Sequence, residues 1–313
     1  MSKHVEGVIF ALLLPTLLVI LQLCENSIQS IAIGGGKISG NVEFPFMVSI
    51  QYRFDSGEFN HFCGGSIISK QHILTAAHCF YSKGELISIE RLRIRYGSSD
   101  LSSNDLLEII ISDLFIHPNF TLETNRNDIA IVKTINELEI NNSTTRIAFL
   151  ESETIPNGFK LIAVGWGFYN EQQTSFSNKL RRARIPLTSL LNCNGMGLRA
   201  NSPNQLCAGD GGGADTCIGD SGGPLFRFEG LFDFALVGII SYGRDVKCGS
   251  MNSLTVYTNI SHYNPFIVNV IGNVTFSPFD PNANYNRALI NHSIILQLSY
   301  WIIGLCLLFQ TIT

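Results

Sequence analysis

Basic residues are in short supply in this sequence. Its 313 residues carry 21 Lys and Arg against 25 Asp and Glu, a net charge of −4 and a pI near 6.0. A chain without a basic footprint has nothing with which to neutralise a phosphate backbone, so nucleic acid is excluded as the expected partner. Internal repeats and long low-complexity tracts are also missing, which leaves room for one large domain or two small ones. Hydrophobic residues make up 45% of the chain, ample for a core.

Long apolar runs occur only at the two ends. Lys3 and His4 precede the run at 8–23, a positively charged segment followed by an apolar one. That order reads as a secretory signal. The run is also short for a membrane span and contains Pro15 and Gln22. Residues 1–32 are therefore expected to be a signal peptide with, at most, a short propeptide. After residue 272 the composition turns polar through 287, with Pro278, Pro281 and several asparagines. Residues 294–309 are then almost wholly apolar. No basic segment follows them, so a stop-transfer helix is poorly supported. The expected domains are thus 33–272 as the folded unit, 273–287 as a polar linker and 288–313 as a hydrophobic tail. A GPI signal, with Asn282-Ala283-Asn284 as the attachment triplet, is expected ahead of a spanning anchor.

Eight cysteines agree with export. Cys24 falls in the leader and Cys306 in the tail. Cys63, Cys79, Cys193, Cys207, Cys217 and Cys248 remain, an even set that reads as a disulfide framework of undetermined pairing. Sequons at Asn119, Asn141, Asn142, Asn259, Asn273 and Asn291 are candidate glycosylation sites, with at most one of Asn141 and Asn142 used.

Between the ends the pattern is all-β. Short β-rich runs at 46–52, 66–68, 92–96, 129–132, 161–165, 234–241 and 253–257 alternate with turn signals. Asn264-Pro265 then opens an apolar stretch to residue 271 that reads as a closing helix, since proline suits the first helical turn.

Three short motifs bear chemistry. In Cys217-Ile218-Gly219-Asp220-Ser221-Gly222-Gly223-Pro224 a serine sits among glycines. Such a turn can expose the hydroxyl and converge backbone N–H groups on a developing oxyanion. A serine hydroxyl needs a base to become a nucleophile, and His78 closes the apolar run Leu74-Thr75-Ala76-Ala77-His78-Cys79. Asp128, in Arg126-Asn127-Asp128-Ile129-Ala130, is a carboxylate able to fix an imidazole tautomer.

Together with Gly165-Trp166-Gly167 and Ser241-Tyr242-Gly243, these motifs resemble the chymotrypsin-like (trypsin family) serine endopeptidases over residues 33–271. The resemblance implies two six-stranded antiparallel Greek-key β-barrels, at 33–150 and 151–257, with a C-terminal helix and the site in the cleft between them. It implies Ser221 as nucleophile, His78 as general base and acid, Asp128 as its orienter, and the Gly219 and Ser221 amides as the oxyanion hole. Ser241 would support Asp128. Disulfides Cys63–Cys79, Cys193–Cys207 and Cys217–Cys248 are implied too. Protein or peptide substrates and protein protease inhibitors would be the partners, with a membrane contact through the tail. Neither metal nor organic cofactor is expected: Ser98 stands where calcium-binding relatives have a glutamate.

In the family, a carboxylate at the position of Asp215 selects Arg or Lys, because a cation relieves a buried carboxylate. Gly243 fits an open pocket wall. Thr255, where basic-specific relatives have glycine, does not, and keeps an elastase-like preference for small side chains as the alternative. A non-catalytic binding homologue is a further rival, although no triad residue is missing. Ile33 stands where the family frees an α-amino group that pairs with the aspartate before the serine, here Asp220. No basic residue precedes Ile33. Ser30-Ile31-Ala32 instead fits the pattern read by signal peptidase, so leader removal itself is expected to free Ile33.

Overall fold

A computed structural model describes residues 37–40, 43–168, 176–200, 203–209, 216–229, 233–243 and 253–280. The leader, Ile33, Asp215, Cys248, Asn291 and the apolar tail lie outside the described residues. The described residues form seventeen strands: β1 Lys37–Ile38, β2 Met47–Arg53, β3 Phe59–Ile67, β4 His72–Thr75, β5 Tyr81–Ser82, β6 Glu85–Leu86, β7 Leu92–Tyr96, β8 Leu107–Ile116, β9 Ala130–Thr134, β10 Phe149–Glu151, β11 Lys160–Gly165, β12 Arg181–Thr188, β13 Gln205–Ala208, β14 Pro224–Phe228, β15 Phe234–Gly243, β16 Thr255–Asn259 and β17 Phe276–Ser277.

Period-two patterning explains most of them. In β7, Leu92, Ile94 and Tyr96 are buried while Arg93 and Arg95 point outward. In β12, Ala183, Ile185 and Leu187 are the buried set. Strands β2-β3-β4-β9-β8-β7 close into one antiparallel barrel. The ring β14-β11-β12-β13-β16-β15 closes the second through the β14–β15 pairing. Closure leaves neither ring with a free edge.

Two boundaries differ from the sequence expectation. The first described segment lies on the second barrel, because β1 pairs with β12 at Lys37↔Arg182 and Ser39 N–H donates to the Leu180 carbonyl at 2.9 Å. At the other end, the first residues of the expected linker are part of the fold. Strand β17 lies parallel to β10, which lies parallel to β15. Buried Arg227 holds this appendage. Its Nε reaches Glu151 Oε2 at 2.7 Å, its remaining nitrogens reach Glu229 and the Ser277 carbonyl, and its guanidinium lies 5.9 Å from the Phe279 ring centre. A polar composition concealed this segment, since its attachment uses backbone groups and one buried ion pair.

Phe44, Phe46, Phe226, Phe228 and Phe234, all buried, form an aromatic cluster between the barrels, with the Phe46 and Phe234 ring centres 4.9 Å apart. Each such side chain contributes about 1.5–3 kcal/mol through burial. Below the seam, the helix Asn264–Ile271 begins with proline in its first turn and ends at Gly272, at φ +83°. Among the described residues no helix is long and apolar enough to cross a membrane.

Candidate active site

His78 lies on a 3₁₀ turn, Ala77–Phe80, directly after β4. The Cys63–Cys79 disulfide pins that turn to β3. Both sulfurs are consumed by the bond, so the proximity of Cys63, His78 and Cys79 does not make a metal site. Asp128 approaches from the segment that leads into β9. It is 1% exposed, and its two oxygens divide between ring and backbone: Oδ2 lies 2.7 Å from His78 Nδ1, and Oδ1 accepts the His78 backbone N–H at 2.9 Å. Ser241, on β15, donates its hydroxyl to Asp128 Oδ2 at 2.5 Å, and Thr258, on β16, donates to the Asp128 carbonyl at 2.7 Å. Asp128 and His78 thus come from the first barrel, and the hydroxyls that meet Asp128 come from the second.

The electrostatics follow from these contacts. Burial opposes protonation of His78, but the Asp128 carboxylate and its hydrogen bond outweigh burial and hold the imidazole above its ordinary pKa. Burial likewise opposes ionisation of Asp128. The His78 and Ser241 contacts overcome it and keep Asp128 below the usual carboxylate range. An imidazole held this way has one tautomer, with Nδ1–H toward the acid and Nε2 available as a base.

The serine turn packs against this pair. The Ser221 carbonyl accepts Gly64 N–H at 2.8 Å. A Cβ built on Gly222 would lie 2.2 Å from Thr75 Oγ1 and 3.2 Å from Ala76 N, two residues before His78. The turn's amides are used selectively. Those of Asp220, Gly222 and Gly223 donate to the carbonyls of Cys217, Ile240 and Asp220, each at 2.9 Å. Among the described residues, the Gly219 and Ser221 amides donate to nothing. Gly219 has φ +92°, a conformation that favours glycine. The Ser221 hydroxyl makes no hydrogen bond to His78, in keeping with the loose catalytic contacts of unliganded sites.

Asp220 is fully buried, accepting Gly167 N–H and Cys217 N–H, each at 2.8 Å. A Cβ on Gly165 or Gly167 would come within 2.0 or 2.6 Å of the Asp220 side chain, which explains the Gly-Trp-Gly motif as space for this carboxylate. Of the residues expected to line the primary pocket, Thr255 pairs with Gly243 across β15 and β16. Its hydroxyl lies 3.1 Å from that of Thr216, and a Cβ on Gly243 would lie 3.3 Å from it. Thr216, adjacent to Asp215, has no motif of its own and was not singled out from the sequence.

Nor was His61. It is 6% exposed, with Nε2 2.8 Å from the Gly219 carbonyl and Nδ1 2.8 Å from Ser49 Oγ. A carbonyl only accepts, so Nε2 bears the proton and the Ser49 hydroxyl donates to Nδ1. Burial lowers its pKa to about 4, so it stays neutral. It steadies Gly219 from behind, and its only sign in the sequence was a histidine two residues before Cys63.

Cys193–Cys207 is the second disulfide, and Cys217 is disulfide-bonded as well. Asn119, Asn141, Asn142 and Asn273 are exposed. Asn259 is half-buried, with its amide nitrogen 2.8 Å from the Pro203 carbonyl.

Comparison with known proteins agrees with this geometry. Residues 33–267 match the Trypsin family. The chain belongs to the trypsin family. Among its relatives, the CLIP domain-containing serine protease B4 of Anopheles gambiae is 33% identical over 73% of this chain and 67% of its own length. Trypsin Tyr p 3.0101 of Tyrophagus putrescentiae is 32% identical over 78% of this chain and 82% of its own. Phenoloxidase-activating factor 3 of Holotrichia diomphalia is 32% identical over 73% and 69%. This trypsin-family chain is a serine endopeptidase, a hydrolase acting on protein or peptide substrates.

Proposed function

We propose that this protease cleaves peptide bonds through a Ser221-His78-Asp128 triad and an acyl-enzyme. The observation that carries the reading is the His78 imidazole, held by Asp128 at 2.7 Å on a turn that abuts the serine turn. The Ser221 oxygen attacks the scissile carbonyl carbon while His78 Nε2 takes the hydroxyl proton. The oxyanion is met by the Gly219 and Ser221 amides. His78 then gives its proton to the leaving amine as the C–N bond breaks. Water attacks the resulting ester, His78 accepts its proton, and Ser221 recovers its own. The residues need no metal or organic cofactor for any of these steps.

Cleavage after Arg or Lys is the reading for the primary pocket, on the strength of Asp215. A second reading, a preference for small side chains, is favoured by the contact between the Thr255 and Thr216 hydroxyls beside Gly243. Peptides varied at the residue before the cut decide between them: faster cleavage after Ala or Val than after Arg or Lys selects the second. Export by the leader, activation through Ile33 and Asp220, glycans at the exposed sequons, sensitivity to protein protease inhibitors and tethering by the tail complete the proposal. Of the relatives named above, one is a serine protease by name and another a trypsin, which suits an extracellular enzyme.

The test of the triad is labelling by a fluorophosphonate probe. Wild-type protein should label and Ser221→Ala should not, with peptide hydrolysis falling about 10⁶-fold. Labelling that survives Ser221→Ala places the nucleophile elsewhere.

A further inference from the structure

Asp128 is preceded by a residue in an unusual conformation. Asn127 has φ +55°, in the left-handed region that non-glycine residues seldom adopt and asparagine tolerates best. The Ile129 N–H donates back to the Asn127 carbonyl at 2.8 Å, so the backbone turns tightly around Asp128. That turn aims the carboxylate at both His78 nitrogens described above. Something must hold Asn127 in place, and its side-chain amide is gripped at both ends. Nδ2 donates to the Asn119 carbonyl at 2.7 Å, which fixes which end is nitrogen. Oδ1 accepts the Tyr263 hydroxyl at 2.9 Å.

Tyr263 is far from Asn127 in sequence, 136 residues on. It ends the 3₁₀ turn Ile260–Tyr263 that follows β16 and leads into the C-terminal helix. Its ring is 3% exposed and packs edge-on against His117 at 5.3 Å and His262 at 4.9 Å, while His117 also meets Phe266 at 4.9 Å. The titratable groups around the phenol are therefore His117, His262 and, beyond Asn127, Asp128. Burial pushes its pKa up to about 12, so the hydroxyl remains a donor at any working pH.

We infer that Tyr263 is a positioning residue for catalysis: through Asn127 its hydroxyl sets the orientation of the Asp128 carboxylate, and so the basicity of His78. This rests on the triad reading given above. Ser241 and Thr258 already bring two hydroxyls of the second barrel to Asp128, and Tyr263, just beyond that barrel's last strand, brings a third to its neighbour. It is the only one of the three that acts on the residue before Asp128. The arrangement also explains why an asparagine stands at position 127, where a glycine would reach the same φ without strain: glycine has no amide for Tyr263 to hold.

The test is Tyr263→Phe, which removes one oxygen and keeps the ring packed on His117. We expect kcat to fall roughly tenfold with KM nearly unchanged, since small misplacements of catalytic groups cost up to about 10² in rate. The acidic limb of the kcat/KM profile should move to lower pH, because a misdirected carboxylate supports the imidazolium less. In a cycle with Asn127→Gly, the double variant should be no slower than Asn127→Gly alone, as expected of two groups acting through one contact. A purely structural role would lower the melting temperature and leave the pH limb in place. The proposal is overturned if Tyr263→Phe retains wild-type kcat and pH limb, or if its loss adds fully to that of Asn127→Gly. Ser221→Ala, assayed alongside, separates the two levels. Hydrolysis that persists in Ser221→Ala overturns the triad reading and the role of Tyr263 with it. Hydrolysis abolished there but untouched in Tyr263→Phe overturns the role of Tyr263 alone.

Discussion

The two barrels have the same strand order. Numbering the six strands of each ring in chain order, both run 1-2-3-6-5-4 and close between the fourth and the first. Beyond that they diverge. The first barrel is a bare ring that presents His78 and Asp128 on short turns. The second carries three appended strands, β1, β10 and β17, and provides the serine turn together with Ser241, Thr258 and Tyr263. The first barrel therefore holds the His78–Asp128 pair, and the second adds the hydroxyls that meet Asp128. The second holds the serine, while the Ser221 carbonyl is tied to Gly64 of the first. Each barrel is completed by the other, and a site built this way exists only when both are folded and docked.

The sharpest way to break this division is at the acid itself. Asp128→Asn keeps the shape but removes the charge that raises the His78 pKa and the acceptor that sets its tautomer. Turnover should fall by about 10⁴, the cost of the same change in the template triad. Wild-type activity needs neutral His78 and so should rise with pH through a midpoint above the ordinary imidazole value of 6.5. In the residual activity of the variant that midpoint should shift down. An unshifted midpoint would mean that another group controls the limb.

A second test asks whether the appended strands belong to stability alone. Arg227→Met leaves Glu151 buried with only the backbone N–H groups of Ser152, Glu153 and Phe279 as partners. Breaking a buried pair from one side costs about 3–5 kcal/mol, and those amides place the expected loss at the lower end of that range. Denaturant unfolding should record it, with kcat per folded molecule unchanged. A matching fall in kcat would show that the appendage reaches the site.

The third concerns His61, which bridges the barrels through Gly219. Its folded pKa of about 4 lies below the unfolded value of 6.5, so the unfolded chain takes up the proton first on acidification. Its contribution is present in full above pH 6.5, is lost as pH falls from there toward 4, and declines no further once the folded form protonates too. The gap corresponds to about 3 kcal/mol as an upper figure. His61→Gln should be less stable at neutral pH and flatter across this window. An equally steep acid loss in the variant would assign it to other groups.

Much of this molecule was legible beforehand, for particular reasons. Strand β7 was read to the residue because Leu-Arg-Ile-Arg-Tyr alternates cleanly, and the C-terminal helix because Asn264-Pro265 announces it. Strands β8 and β12 carry no such signal. In β8, apolar residues at 109–111 stand side by side. In β12, three arginines and Pro186 mask the alternation of Ala183, Ile185 and Leu187. At the site, the residues with distinctive neighbours are legible: His78, Asp128 and Ser241, which hydrogen bonds join, and Ser221, on the turn packed beside them. Those that act through others are not. His61, Thr216, Thr258 and Tyr263 sit in ordinary β or helix-entry sequence, and what they touch is set by contacts between segments far apart in the chain.

The β17 appendage has one more consequence, for force. The chain leaving Asp280 has just passed Phe279, whose amide is held by Glu151, and Ser277, whose carbonyl is held by Arg227. Tension applied there is resisted first at this buried ionic rivet and in shear along β10, well before any strain reaches the catalytic cleft. A pull on the chain beyond Asp280 would load this attachment before it loaded the barrels.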